Sequence, residues 1–251
     1  MQLTRSTLIA TLLLASLSAC GDKSGKTDKA DADAKPPTLA DATAPKAVAA
    51  AQQLASRAAL PKADKNTPDS QYVALDSGNQ LMFSYLSLAA MPIDYKDVAT
   101  NFSPDYARAA DEFRRNDLLT ALKPRIDAAV AEAGQRRYVK MTIDNPIEKY
   151  DFDKKGFPLS SAVWQSGSYR YFFDNSNYKI GFTNGDAFRY LSTATEDSAR
   201  NIEGLRSKNE QLQLVVYAYT QQADLTDKIV KGEIVKVALL DAKGNVLASS
   251  K

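Results

Sequence analysis

The sequence predicts an α+β fold, with N-terminal helices packed on a mostly antiparallel sheet, and three observations carry that expectation. Apolar residues recur at helical spacing from Gly78 onward, the period changes to two after Gly134, and runs rich in valine and leucine follow. Helices first and strands afterwards is the pattern of an α+β domain and differs from alternating βαβ units.

Over residues 78–90, Leu81, Met82, Tyr85, Leu88 and Ala89 form one apolar stripe. Ser103, Pro104 and Asp105 read as a helix start, the hydroxyl capping and the proline in the first turn. Helical texture continues to Ala133, where Gly134 should end it, and Pro124 predicts a kink or a break because it lacks a backbone donor. In 138–143, Val139, Met141 and Ile143 alternate with Tyr138, Lys140 and Thr142, which predicts a strand with one buried face. Residues 169–173 and 178–182 read as a hairpin across a turn at 174–177. A short helix over 196–208 should bury Ala199, Ile202 and Leu205. Residues 211–219 and 233–240 read as buried strands, and 242–245 turns the chain into a last strand through Leu247.

Ahead of this domain, residues 20–65 are built mainly from Ala, Asp, Lys, Pro and Thr, with only Leu39, Val48, Leu54 and Leu60 as larger apolar side chains. Such a stretch buries too little to offset its ordering entropy, so it is expected to be a disordered tether. Residues 1–19 carry one cation, Arg5, and an apolar run over 7–17, short of the roughly 20 residues a membrane span needs. That is the make-up of a cleaved secretory signal. Leu17, Ser18, Ala19 and Cys20 resemble the lipobox of bacterial lipoproteins. The resemblance implies cleavage before Cys20, acylation of its thiol, and a membrane-lipid anchor facing the periplasm. Gly21 after the cysteine, by the same resemblance, favours the outer over the inner membrane. The expected organisation is therefore 1–19 signal peptide, 20–65 lipidated tether, and 66–251 a single globular α+β domain.

Composition narrows the chemistry. Cys20 is the single cysteine and there is no histidine. Imidazole is the side chain that titrates near neutrality, so Ser-His-Asp and Cys-His hydrolases and His-ligated zinc sites are excluded. A net charge of +2 over 251 residues gives no electrostatic case for nucleic acid. No cofactor is expected.

Four motifs resemble catalytic or binding signatures and fall short. Gly25, Lys26 and Thr27 copy the end of a phosphate-binding loop, but Cys20 stands where its first glycine belongs. Asp151, Asp153 and Gly156 copy positions of a calcium loop, yet Lys155 and Ala162 occupy ligand positions. A turn with solvated charges is expected there. Asp174, Asn175 and Asn177 could supply calcium oxygens, and are equally what a tight turn selects. Ser176 and Lys179 have the spacing of penicillin-binding enzymes without the downstream motifs. Without histidine, a carboxylate pair is the remaining hydrolytic option, with Glu148, Asp151 and Asp153, or Asp111 and Glu112, as candidates. Glu196, Arg200 and Glu203 read as helix-surface ion pairs.

Tyr169, Tyr171 and Phe173 fall on one side of a strand, where they could stack on sugars, although strand aromatics are more commonly core. Tyr169 and Tyr171, with Trp164 on an expected loop, are the candidate binding residues. Ser77-Gly78-Asn79-Gln80-Leu81-Met82, Asp111-Glu112-Phe113-Arg114-Arg115, Leu122-Lys123-Pro124-Arg125-Ile126 and Tyr150-Asp151-Phe152 resemble a family of uncharacterised envelope lipoproteins with a domain of unknown function. That resemblance covers most of 71–249 and implies no activity and no catalytic residue. The expected function is a non-catalytic binding module of the envelope, with a protein or peptidoglycan partner. The competing readings are a carboxylate-dependent glycan hydrolase and a small-ligand binding domain.

Overall fold

Each main helix begins where a short polar side chain closes its first turn. Ser77 and Gln80 form a capping box: the Ser77 hydroxyl accepts from the Asn79 N–H and the Gln80 side chain from the Ser77 N–H. This opens α1, Gly78–Ala89. The Asp94 carboxylate accepts from the Lys96 and Asp97 amides at the head of α2, Tyr95–Phe102. Ser103 caps α3, Pro104–Arg108, with proline in the first turn as expected. Asp111 caps α4, Glu112–Gln135.

The computed structural model describes residues 48, 52, 55, 56 and 58–250. Within Ala49–Lys251, one compact unit, the architecture is α+β with a mostly antiparallel sheet. The expected signal peptide, with Cys20, Gly25, Lys26 and Thr27, lies outside the described residues.

Two expectations for the helices are corrected. α4 runs unbroken through Pro124 and past Gly134 to Gln135. Leu119, Leu122 and Ile126 are buried on both sides of the proline while Pro124 itself faces solvent. Packing on either side therefore keeps the chain helical across the missing backbone hydrogen bond, which rules out the break.

The main sheet runs in the order β1-β2-β7-β8-β5-β4, with β9 beside β5 on the same edge of β8. Its strands are β1 (Val73–Ala74), β2 (Tyr138–Asp144), β4 (Arg170–Tyr171), β5 (Lys179–Phe182), β7 (Gln213–Asp224), β8 (Ile229–Leu240) and β9 (Val246–Ser250). Pairing is antiparallel except at β1–β2 and β5–β8. β3 (Gly156–Pro158) and β6 (Tyr190–Ser192) form a separate ribbon, and α5 (Glu196–Ser207) precedes β7. Among the described residues no helix is long and apolar enough to cross a membrane.

Alternation gives the sheet two unlike faces. On the inner face Met141, Val216 and Val237 sit in one cross-strand row, all buried, and α1 packs against β7, β8 and β5. One residue along, the row is Lys140, Tyr217 and Lys236 on the outer face. Here Tyr72 meets Tyr138 and Tyr217 edge-on at 5.3 and 5.0 Å. The Lys236 ammonium lies 4.4 Å above the Tyr217 ring and pairs with Asp69. The Arg137 guanidinium lies 4.5 Å above Tyr219 and donates to the carbonyls of Thr220 and Gln221.

This outer face corrects the expected end of the tether. The Ala63 N–H donates to Glu233 Oε2 at 3.0 Å, the Asp64 N–H to the Tyr138 hydroxyl at 2.8 Å, and Gln221 Nε2 to the Pro61 carbonyl at 2.8 Å. Residues 61–64 therefore belong to the folded unit. Their apolar content is low because main-chain hydrogen bonds, not side-chain burial, hold them.

Candidate functional site

β4 and β5 pair through Arg170–Ile180 and Tyr171–Lys179, giving the expected hairpin in shortened form. Tyr178, Ile180 and Phe182 fill the buried side. The three other aromatics, weighed between ligand contact and core, are exposed: Tyr169 by 48%, Tyr171 by 43% and Phe173 by 94%. β4 is a two-residue edge strand, and the inward positions of the hairpin are already occupied. Tyr171 and Phe173 stand edge to face at 5.7 Å, and the Lys179 ammonium lies 4.6 Å above the Tyr169 ring. Together they make an aromatic ridge with a cation at one end.

Trp164 is corrected. It is 1% exposed in a 3-10 turn, Ala162–Trp164, and so cannot contact a partner. The turn Gly185–Phe188 runs close against its main chain, since a Cβ at Gly185 would come within 2.7 Å of the Trp164 carbonyl oxygen.

The turn between β4 and β5 is committed to the fold. The Asp174 carboxylate accepts from the Ser77 hydroxyl at 2.6 Å and the Gly78 N–H at 2.8 Å, at the positive end of α1. Burial pushes the Asp174 pKa up, but the hydrogen bonds from Gly78, Ser77 and Asn79 outweigh it and hold the group below its ordinary value. Asn175 is buried, and its amide donates to Asn79 Oδ1 at 3.1 Å. A Cβ at Gly78 would lie 2.3 Å from the Asn175 carbonyl oxygen. Asp174 and Asn175 thus dock the hairpin on α1, and the Asp174 carboxylate is committed to the helix start. No group of three or more Asp, Glu, His or Cys side chains placed to hold a metal ion occurs among the described residues.

Three of the other candidate carboxylates, Asp111, Glu112 and Asp151, are engaged as well. Asp111 caps α4 and Glu112 pairs with Arg115 at 3.5 Å. Asp151 accepts from the Asp153 and Lys154 amides and closes a turn onto Gly156, with Lys155 at φ 50°. Glu148 is exposed and its backbone N–H bonds to the Pro158 carbonyl. Ser176 is exposed in the turn, and Lys179 is turned toward Tyr169. On α5, Arg200 pairs with Glu196, whereas Glu203 pairs with Arg206 and not with Arg200.

Beside the ridge lies a cavity of about 570 Å³ that the sequence reading missed. Its floor is the cross-strand row Gln222, Lys231 and Gly181 and the neighbouring pair Asp224 and Ile229. Gln52, Ser56 and Leu60 wall it on the N-terminal side, and Ser168 forms the rim where the chain enters β4. Lys231 and Asp224 pair at 2.8 Å. The hydrogen bond from Lys231 chiefly holds the Asp224 carboxyl below its usual range. Gly181 was the legible signal, because glycine inside a strand marks close backbone approach. A Cβ there would sit 2.9 Å from the Ser168 carbonyl oxygen.

Compared with known proteins, the chain matches no family model, no curated protein and no solved structure.

Proposed function

We propose that this chain is a lipid-anchored binding module of the bacterial cell envelope, facing the periplasm from the outer membrane. In this reading residues 1–19 are a cleaved signal peptide, Cys20 carries the acyl chains, and a tether leads to helices packed on the sheet. The observation that supports binding is the ridge of Tyr169, Tyr171 and Phe173, three consecutive outward positions left exposed at a sheet edge. Among the other exposed aromatics of the described residues, Phe152 leans on Tyr150 at 5.1 Å. Of the carboxylates weighed for hydrolysis, Asp111 serves a cap, Asp151 a turn and Glu112 an ion pair, which favours binding over reaction.

Crosslinking in living cells tests the module. The wild-type chain is expected to capture one envelope partner reproducibly, and a variant carrying Tyr169→Ser, Tyr171→Ser and Phe173→Ser is expected to lose it while still folding. Equal capture by both would remove the ridge from the reading. The anchor has its own test: Cys20→Ala should abolish metabolic lipid labelling, and persistent label would sink the lipoprotein assignment.

A further inference from the structure

We propose that the cavity beside the ridge is a binding subsite for a neutral, polyhydroxylated ligand, a segment of an oligosaccharide. This deepens the binding-module reading by naming a ligand class. Its volume, about 570 Å³, lies in the range of small-molecule sites and suits a disaccharide-sized group.

The floor supplies what sugar hydroxyls need. The Gln222 side chain offers two donors and an acceptor, and Ser168 a hydroxyl that can do either. Asp224 and Lys231, 2.8 Å apart, set an acceptor beside a donor. Two neighbouring hydroxyls of a pyranose fit that pair, one donating to the carboxylate and one accepting from the ammonium. Because the two charges offset each other, the pair exerts little pull on an ion. Asp227, also in the lining, adds a negative charge that disfavours phosphates and carboxylates. Leu60 and Ile229 present apolar surface to the C–H faces of a ring. The missing side chain at Gly181 keeps the floor low between them. From Ser168 the rim passes directly into Tyr169, so a longer glycan leaving the cavity would meet the aromatic ridge.

The test is a calorimetric titration of the full-length protein, extracted in detergent, with three probes: the β-1,4 tetramer of N-acetylglucosamine, maltotetraose, and tetra-alanine. At least one tetrasaccharide should bind saturably and tetra-alanine should not. Gln222→Leu and Lys231→Met should each weaken that binding about tenfold or more, the loss expected for one good polar contact. Should Lys231→Met not fold, Ser168→Ala with Gln222→Leu carries the test, folding being checked by circular dichroism. The proposal is overturned if neither saccharide binds, if tetra-alanine binds as well, or if folded Gln222→Leu binds like wild type. Crosslinked capture in cells is read independently. Loss of saccharide binding with capture intact sinks the subsite alone, and the reverse outcome sinks the ridge alone.

Discussion

The two faces of the main sheet are built from the same strands, one residue out of step, and they are held by different physics. On the inner face Met141, Val216 and Val237 are stabilised by removal from water. On the outer face Lys140, Tyr217 and Lys236 occupy the next positions, and Tyr72, Asp69 and residues 61–64 are fastened there by ring contacts, cations over rings and main-chain hydrogen bonds. The inner face resists loss of volume, while the outer face resists loss of partners. Alternation alone thus sorts one sequence into a core and a polar clasp.

The largest effect should come from the inner face. Leu214→Ala, at a fully buried position, is expected to cost about 2–5 kcal/mol in urea unfolding. Its outer counterpart Lys236→Ala should cost only about 0.5–1 kcal/mol, the scale of a partly exposed cation over a ring. Equal costs would break the contrast. Next in size is Gly78→Ala, which in an ordinary helix would stabilise. Here the methyl group would collide with the Asn175 carbonyl, so a loss of about 1–3 kcal/mol is expected by thermal unfolding.

Acid sharpens the comparison further. The hydrogen bond from Lys236 holds the Asp69 carboxyl below its ordinary value on the outer face, and the amides of α1 do the same for Asp174 at the hairpin. A depressed carboxyl contributes stability that is full above the unfolded pKa, about 3.9, and is lost as pH falls through the folded value. Melting temperature should therefore drop below about pH 4, and Asp174→Asn should flatten that slope. An unchanged slope would mean that other carboxylates carry it. The smallest effect belongs to the exposed Glu196–Arg200 pair on α5, where Glu196→Ala should change stability by about 0.3–0.5 kcal/mol.

Much of the fold was legible because its signals are periodic. The stripe from Leu81 to Ala89 and the alternation from Val139 to Ile143 each repeat enough to identify an element. β1, β3 and β6 were not legible, since strands of two or three residues have no period to read. The aromatic run of the hairpin shows a different limit. Its alternation was correct, but which side faces the core depends on what else fills it, and that is decided by β8 and α1, far away in sequence. Trp164 was misjudged for the same reason. The cavity joins residues from 52 to 231, and only Gly181 hinted at it.

The clasp across the outer face also sets where the chain can be cut. A recombinant fragment beginning at Asn66, the boundary composition suggests, would lack Pro61, Ala63 and Asp64. It would take from the Gln221 amide, which is 3% exposed, one of its two acceptors and leave only Glu233 Oε2 at 3.2 Å, deprive the Glu233 carboxylate of the Ala63 amide, and free the Tyr138 hydroxyl. It would also remove the Leu60 wall of the cavity. Expression trials that start upstream of Gln52 keep the polar clasp and the whole binding wall together.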